Sequence, residues 1–448
     1  METTVARLRY VLQVLAPAVN RKHPTLPILQ NVVVGQGRAA ATNLETAITV
    51  EFPEATDDPA VLPHQQLLSM LKNIPGPTRL TLNREGAVIK LSAGATSAEF
   101  PVPGEVADFP PFPQLKAAGE GQVDADLFLK TATALAPYAA TDVGRPILQC
   151  VCITLGAPLE MACADGFRLA WQTIPIALPR LHSPPMPFTR LLLPTAAVHT
   201  LARIWKVMEK IPSVDGPPSD DPTKADGEFR MARLAVAKRL ATIRFTQDAL
   251  SFEHGAVTVR VRLPAGEFPN YYQLIPSDLP HKVSFDAEEA LRTIRSLAKV
   301  ASEGSNIVSL IWSGDTLAFS ARGEEAGTVA AGVRAHIQGG EGRIAFNYRY
   351  LGDYLAGKLG QVLMESSAPS SPARFFHSGS PDLVQMPMFV KGEDEPATEP
   401  TEASPSAEEA PVDAPPGAEA EGAPVSTNGK PAEVPAAAKP RARRNAKG

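Results

Sequence analysis

Apolar positions along the chain switch between a helical period of three to four residues and the two-residue alternation of a half-buried strand, and the order of these switches recurs. The first helical stretch ends in Leu15-Ala16-Pro17 and a second in Leu135-Ala136-Pro137, 120 residues later. Downstream of each stands Pro-Ile-Leu-Gln, at Pro27 and at Pro146, 119 residues apart, followed by the apolar runs NVVV and CVCI. A proline-led helical stretch begins at Pro63 (PHQQLLSMLKNI) and again at Pro194 (PTAAVHTLARIWK), 131 residues apart. Proline is tolerated at the start of a helix, where its missing N–H has no partner to lose. The alternating strand RLTLNREG at Arg79 matches TIRFTQDA at Thr242, now 163 residues apart, so about 32 residues are inserted between about Lys206 and Leu240. The inserted SVDGPPSDDPTKADGE reads as a polar loop, and its Asp220-Asp221 as a solvated charge pair.

Both copies close on related phrases, Val102-Pro103-Gly104-Glu105 running to Phe109-Pro110, and Leu263-Pro264-Ala265-Gly266-Glu267-Phe268-Pro269. A more diverged third copy opens with a helical pattern from Asp286, a residue type suited to an N-cap, to Ala301. It continues through the apolar run Ile307 to Trp312, the strand-like LAFSA and a helix FNYRYLGDYLAGKL from Phe346, and ends at VQMPMFV near Val390. The pattern predicts an α+β fold of three repeated domains, each with helices packed on antiparallel sheets, at residues 1–118, 119–278 (insertion at about 207–240) and 279–390. From residue 391 onward proline, alanine, glutamate and serine dominate, which buries too little apolar area to offset chain entropy, and a disordered tail is expected over 391–448.

Composition changes this picture little. The net charge of -5 is concentrated at the C-terminal end: residues 391–448 hold 11 acidic and 7 basic side chains, leaving a body close to neutral that can still carry a basic face. The 3 cysteines, Cys150, Cys152 and Cys163, lie in apolar runs without paired spacing and read as buried thiols; the 8 histidines are scattered, and no metal or cofactor is expected. Neither a secretory leader nor a membrane-length apolar run is present in the sequence, which predicts a cytoplasmic protein with no membrane partner. No nucleophile-and-base constellation, zinc-protease phrase or phosphate-binding loop is found, which argues against an enzyme.

Several phrases in order resemble the beta subunit of bacterial DNA polymerase III, the beta sliding clamp family: HPTLPILQNVVV at His23, TNLE at Thr42, GRPILQ at Gly144, ADGFRLA at Ala164, GEFPNYYQLIP at Gly266 and MPM at Met386. The resemblance spans residues 1–390 and implies a head-to-tail homodimer, a six-domain ring around double-stranded DNA with helices lining the hole. A heterologous contact between opposite ends of a chain is the kind that lets a ring close. The matching interface positions are Phe100 and Val102 at the end of the first domain against Leu297 and Val300 of the third, Phe100 reading equally well as a core residue.

A clamp holds DNA without reading it, through cations facing phosphates. Arg292, Arg295 and Lys299 fall on one helix stripe, as do His199, Arg203, Lys206 and Lys210; Arg7, Arg9, Arg21, Lys22, His23 and Lys72 extend the set, each alone reading equally as a solubility charge. The family's arginine before Pro-Thr-Leu-Pro is His23 here, and its cation two residues after Pro63 is Gln65. The resemblance also implies a shared peptide pocket for the DNA polymerase III catalytic subunit, the clamp loader and other partners carrying a clamp-binding motif. Its positions are Leu148, Ala164, Gly166, Phe167, Arg168, Leu169, Pro269, Gln273, Leu274, Val384, Met386, Pro387 and Met388. Apart from the family, Asp165-Gly166 reads as a turn and Met386 to Met388 as an edge strand. Ala164, Phe167, Gln273 and Phe389 depart from the family's threonine, histidine, arginine and cation, which implies a more apolar pocket. The alternative is a clamp-like scaffold that binds partners without closing a ring.

Overall fold

The computed structural model describes residues 1–19, 26–112, 114–178, 189–210 and 239–389. Met1–Asp394 form one compact unit; Glu395–Gly448 form a second that lies outside the described residues, as does the expected disordered tail. Within the first unit one order of elements occurs three times. The first repeat contains β1 (Glu2–Thr4), α1 (Val5–Leu15), β2 (Val32–Gly35), β3 (Arg38–Thr42), β4 (Thr46–Glu51), β5 (Ala60–Leu62), α2 (His64–Leu71), β6 (Arg79–Glu85), β7 (Val88–Ala93) and β8 (Thr96–Pro101). The second contains β9 (Gly119–Asp124), α3 (Ala125–Leu135), β10 (Cys150–Thr154), β11 (Leu159–Ala164), β12 (Arg168–Ile174), β13 (Arg190–Pro194), α4 (Thr195–Lys210), β14 (Leu240–Phe245), β15 (Ala249–His254) and β16 (Val257–Arg262). The third contains β17 (His281–Asp286), α5 (Ala287–Glu303), β18 (Ile307–Ser313), β19 (Thr316–Gly323), β20 (Gly327–Gln338), β21 (Gly342–Asn347), α6 (Tyr348–Leu355), β22 (Gln361–Ser366), β23 (Ala373–Phe376) and β24 (Asp382–Gln385).

In every repeat the first strand joins the last three, in the order 1-6-7-8, and the fifth joins the middle three, in the order 5-2-3-4. The repeats are then stitched by their sheet edges: β4 pairs antiparallel with β16, Ile48 opposite Val259, and β12 pairs antiparallel with β24, Leu169 opposite Val384. An eight-stranded sheet therefore crosses the first junction and a twelve-stranded sheet the second, while β1-β6-β7-β8 stands apart. β20 does double duty, pairing with β19 through Arg334 and with β17 from Ala335 on.

Strand alternation sorts the two faces of these sheets. Val32, Val34, Ala39, Ala41, Ile48, Val50, Val257 and Val259 join the helix residues Leu8, Leu12, Leu129, Ile294 and Leu297 in one apolar core, so the helices cover one face of each long sheet. The other face is left for the linkers between repeats. Helix starts are set locally. Thr4, Asp124, Asp286 and Asn347 each precede a helix and accept a hydrogen bond from the backbone N–H of Arg7, Leu127, Glu289 and Arg349, satisfying one donor of the first turn. The cap at Asn347 is why the last helix begins at Tyr348 instead of the expected Phe346, whose ring is buried from strand β21.

α4 runs to Lys210, so the expected insertion is helical in its first residues; 211–238 lie outside the described residues. Among the described residues no helix is long and apolar enough to cross a membrane, and no group of histidine, cysteine and carboxylate side chains could hold a metal ion.

Gly304 ends α5 where a Cβ would stand 2.4 Å from the carbonyl oxygen of Arg322. Backbone cannot yield as a flexible side chain can, so Gly304→Ala is expected to lower the unfolding free energy by about 1–3 kcal/mol in urea titration. A loss of under about 0.5 kcal/mol would show that the helix end shifts freely.

Candidate functional site

The cations expected to face DNA divide into two groups. Arg203 and Lys206 on α4, and Arg292, Arg295 and Lys299 on α5, are exposed, and no hydrogen bond or ion pair to another described residue engages their side chains. Lys72, at the end of α2, is exposed as well. Arg7 is half-buried: its guanidinium donates to the Glu51 carbonyl at 3.2 Å, pairs with Glu54 at 3.5 Å and lies over the Phe52 ring. Arg9 is a correction to the expectation. Its guanidinium donates to the carbonyls of Leu71 (2.6 Å) and Ile74, satisfying acceptors at the end of α2, so it serves helix packing and not a phosphate. Arg21, Lys22 and His23, and the side chain of Lys210, lie outside the described residues.

The eighth strand of the first repeat and the fourth strand of the third each have an edge that no strand of another repeat pairs among the described residues. One is β8, whose residues alternate between half-buried and exposed from Thr96 to Pro101, with Phe100 half-buried; Val102, just beyond it, is half-buried and donates to the Ala87 carbonyl. The other is the first part of β20, bonded to β19 alone, with Val329 exposed. Val300 on α5 is half-buried, but Leu297 is only 1% exposed and sits in the core of its own repeat. Leu297 is the second correction, because a side chain with no accessible surface cannot meet a second chain.

The positions expected for the peptide pocket converge at the second junction. Leu169 on β12 and Val384 on β24, opposite each other in the ladder, form a floor with Cys150, Cys152, Ala162 and Trp171, and Leu148 and Ala164 pack at its margin. The linker after β16 lays Phe268 and Tyr271 on this floor, their rings edge to face at 6.0 Å. Burial pushes the thiols of Cys150 and Cys152 up to about 12, which keeps them neutral and apolar. Around the floor stand exposed apolar side chains, Phe167 at 53%, Leu274 at 58%, Met386 at 45% and Phe389 at 76%, with Pro269 and Gln273 exposed and Pro387 and Met388 half-buried. Large apolar side chains left this exposed make the region a candidate contact surface.

The rim is held by a buried ion pair. Arg168 donates from Nε to Asp165 at 2.9 Å and from Nη2 to the Pro137 carbonyl at 3.0 Å, and its guanidinium lies over the Tyr138 ring at 5.2 Å and the Tyr350 ring at 4.2 Å. It thereby joins the second repeat to α6 of the third, where Asp353 is a further partner at 3.4 Å. Asp165 accepts from the backbone N–H groups of Phe167 and Arg168, both at 2.9 Å, and Gly166 takes φ +93° between them, a left-handed turn that points Phe167 outward. The Met386 N–H donates to the Phe167 carbonyl at 2.8 Å, carrying the chain beyond β24 along the same edge.

Residues 272–390 match the model of the DNA polymerase III beta subunit, C-terminal domain. The chain is 25% identical over 344 residues to the beta sliding clamp of Synechococcus elongatus, covering 74% of this chain and 83% of that protein. It is 23% identical over 383 residues to that of Caulobacter vibrioides, covering 83% and 92%. Its fold matches the DNA polymerase sliding clamp from Pseudomonas aeruginosa with a TM-score of 0.73 at 21% identity, over 87% of this chain and 99% of that one. Residues 272–390 thus match the C-terminal domain of the DNA polymerase III beta subunit, and over most of its length the chain is similar to beta sliding clamps.

Several residues of this cleft escape sequence reasoning. Glu160 accepts the hydroxyls of both Tyr271 and Tyr272, and Arg190 donates to the Phe268 carbonyl at 3.1 Å, so two charges on strands hold the linker down. Arg145 donates to the Asp165 carbonyl at 2.7 Å and holds the Asp142 carboxyl below its ordinary range. The tyrosine pair is visible in the sequence as an aromatic cluster; an isolated charge within a strand gives no such signal. Arg168→Ala would leave Asp165 buried without its cation, and is expected to cost about 3–5 kcal/mol in urea unfolding, with Arg168→Lys recovering part of it. A cost below about 1 kcal/mol would mean that the backbone turn alone holds the rim.

Proposed function

We propose that the chain is a DNA sliding clamp, a processivity factor without catalytic activity. Two copies close head to tail into a six-domain ring that encircles duplex DNA and tethers the DNA polymerase III catalytic subunit, the clamp loader and other partners at the second-junction cleft. The domains are those drawn at 1–118, 119–278 and 279–390.

The observation that carries this reading is the pairing rule at the junctions. The fourth strand of each repeat takes the eighth strand of the next, β4 with β16 and β12 with β24. Applied once more, the rule demands an eighth strand for β20 and a fourth strand for β8, and each edge can be supplied by the other end of a second copy. Phe100 and Val102 at β8, and Val300 on α5, keep surface that such a contact could bury. A closed ring removes both edges, which otherwise invite open-ended association.

Enclosure asks little of individual DNA contacts. The exposed cations of α4 and α5 on the helix-covered side supply a sequence-independent field, and its attraction falls with salt as counterions reassert themselves. The cleft suits a short apolar peptide motif, and Met386 and Met388 lend it side chains that repack around different partners.

Protein placed on a nicked circle by a cognate loader, and then freed of the loader, is expected to remain bound at least tenfold longer than on the same DNA after linearisation. Light scattering at micromolar concentration should give twice the chain mass. Equal retention on circle and linear DNA would mean adhesion instead of enclosure, and a strict monomer would favour a scaffold that does not close.

A further inference from the structure

The linker between the first and second repeats is built like the linker between the second and third. Phe109-Pro110, Phe112 and Gln114-Leu115 keep the spacing of Phe268-Pro269, Tyr271 and Gln273-Leu274. The sheets beneath them correspond as well. Val33, Ala40, Thr49 and Thr258 lie side by side across β2, β3, β4 and β16, as Cys152, Ala162, Trp171 and Asp382 do across β10, β11, β12 and β24. Gly35 faces Arg38 at the hairpin end where Thr154 faces Glu160. Phe109 is buried like Phe268, and its ring stacks on Phe112 with centroids 5.7 Å apart.

Two differences separate the clefts. Thr49 stands in the first where the indole of Trp171 fills the second. Arg38 stands where Glu160 accepts the two tyrosine hydroxyls, beneath a phenyl ring that has no hydroxyl to offer. A cavity of about 590 Å³ opens at the first junction, its walls including Val33, Ala40, Thr49, Phe109, Phe112 and Arg38. Among the described residues no carboxylate lines it, and Arg260, two strands across the ladder from Arg38 and on the other side of Thr49, is a second lining cation. Arg38 is exposed, with no hydrogen bond or ion pair from its side chain to another described residue.

We propose that this first-junction cleft is a second docking site, for an extended peptide of a partner protein that carries a carboxylate close to a large aromatic side chain. The aromatic ring enters the space over Thr49 that an indole of the chain's own occupies in the other cleft. The carboxylate meets Arg38, whose guanidinium can hold both oxygens at once. The two clefts then select by opposite criteria. The second offers an apolar rim, whereas the first offers an aromatic slot flagged by positive charge, so two partners can occupy one chain together. The inference uses only the construction of the second cleft and does not depend on ring closure.

The test uses the full-length chain and fluorescent hexapeptides that carry one Trp and one or two Asp at every relative spacing, read by anisotropy. At least one spacing should bind saturably, and replacing its Trp by Ala should abolish binding. Arg38→Glu, at an exposed position, and Thr49→Trp, which installs the plug of the other cleft, should each weaken it about tenfold or more, while Leu274→Ala in the second cleft leaves it unchanged. Thermal melts identify any variant that misfolds, and Arg38→Glu alone then decides. Absence of saturable binding at every spacing, or its loss in Leu274→Ala, would overturn the proposal. So would an Arg38→Glu that leaves peptide affinity intact but weakens binding of a 20-base-pair duplex, since the cleft's charge would then serve DNA. None of these results bears on retention by circular DNA, so the two readings fail separately.

Discussion

Everything in this architecture depends on the edges of sheets finding partners. A β-strand at an edge presents a row of backbone N–H and C=O groups that must be bonded, hydrated or hidden. Each repeat, built as two four-stranded sheets, has such edges, and the chain satisfies them internally by lending the eighth strand of one repeat to the fourth strand of the one before. Because that bond is backbone to backbone, it places few demands on side-chain identity. The ladder can persist while the sequence drifts to 21–25% identity with relatives of the same fold.

Side chains act where the ladder leaves choices open. At the second junction the ladder aligns β12 with β24, and α6 meets the second repeat through one guanidinium that bonds a carboxylate and a carbonyl and lies over two aromatic faces, and through the Phe167–Tyr350 ring contact. A cation so nearly withdrawn from water is sustained only by several partners at once. The same convergence presents the Asp165 turn, so the outward aim of Phe167 is a by-product of how the repeats are joined.

Much of this was legible in the chain. The recurrence of Leu-Ala-Pro and Pro-Ile-Leu-Gln at nearly equal offsets revealed the repeat, since it places helix and strand in fixed order, and Asp286 was readable as a cap because its side chain is local to the backbone it serves. Long-range partnerships were not legible. Arg9 looks like a free cation in sequence, and only the packing of α1 against α2 brings it to the carbonyls of Leu71 and Ile74. Leu297 shares a helix with exposed cations, yet its own face points into the core. Amphipathic spacing shows which residues share a face, while the surroundings of that face depend on elements distant in the chain.

The double pairing of β20 has a mechanical corollary. A single strand of 12 residues is bonded to β19 along its first part and to β17 along its last, so the two sheets of the third repeat are welded into one. The first repeat lacks any such weld: β1-β6-β7-β8 shares no ladder with β5-β2-β3-β4. The chain is thus unequally compliant from end to end, stiffer at the third repeat and softer at the first. A band made of two such chains would bend open beside its joins on the side of the first repeat, leaving the third repeat undeformed.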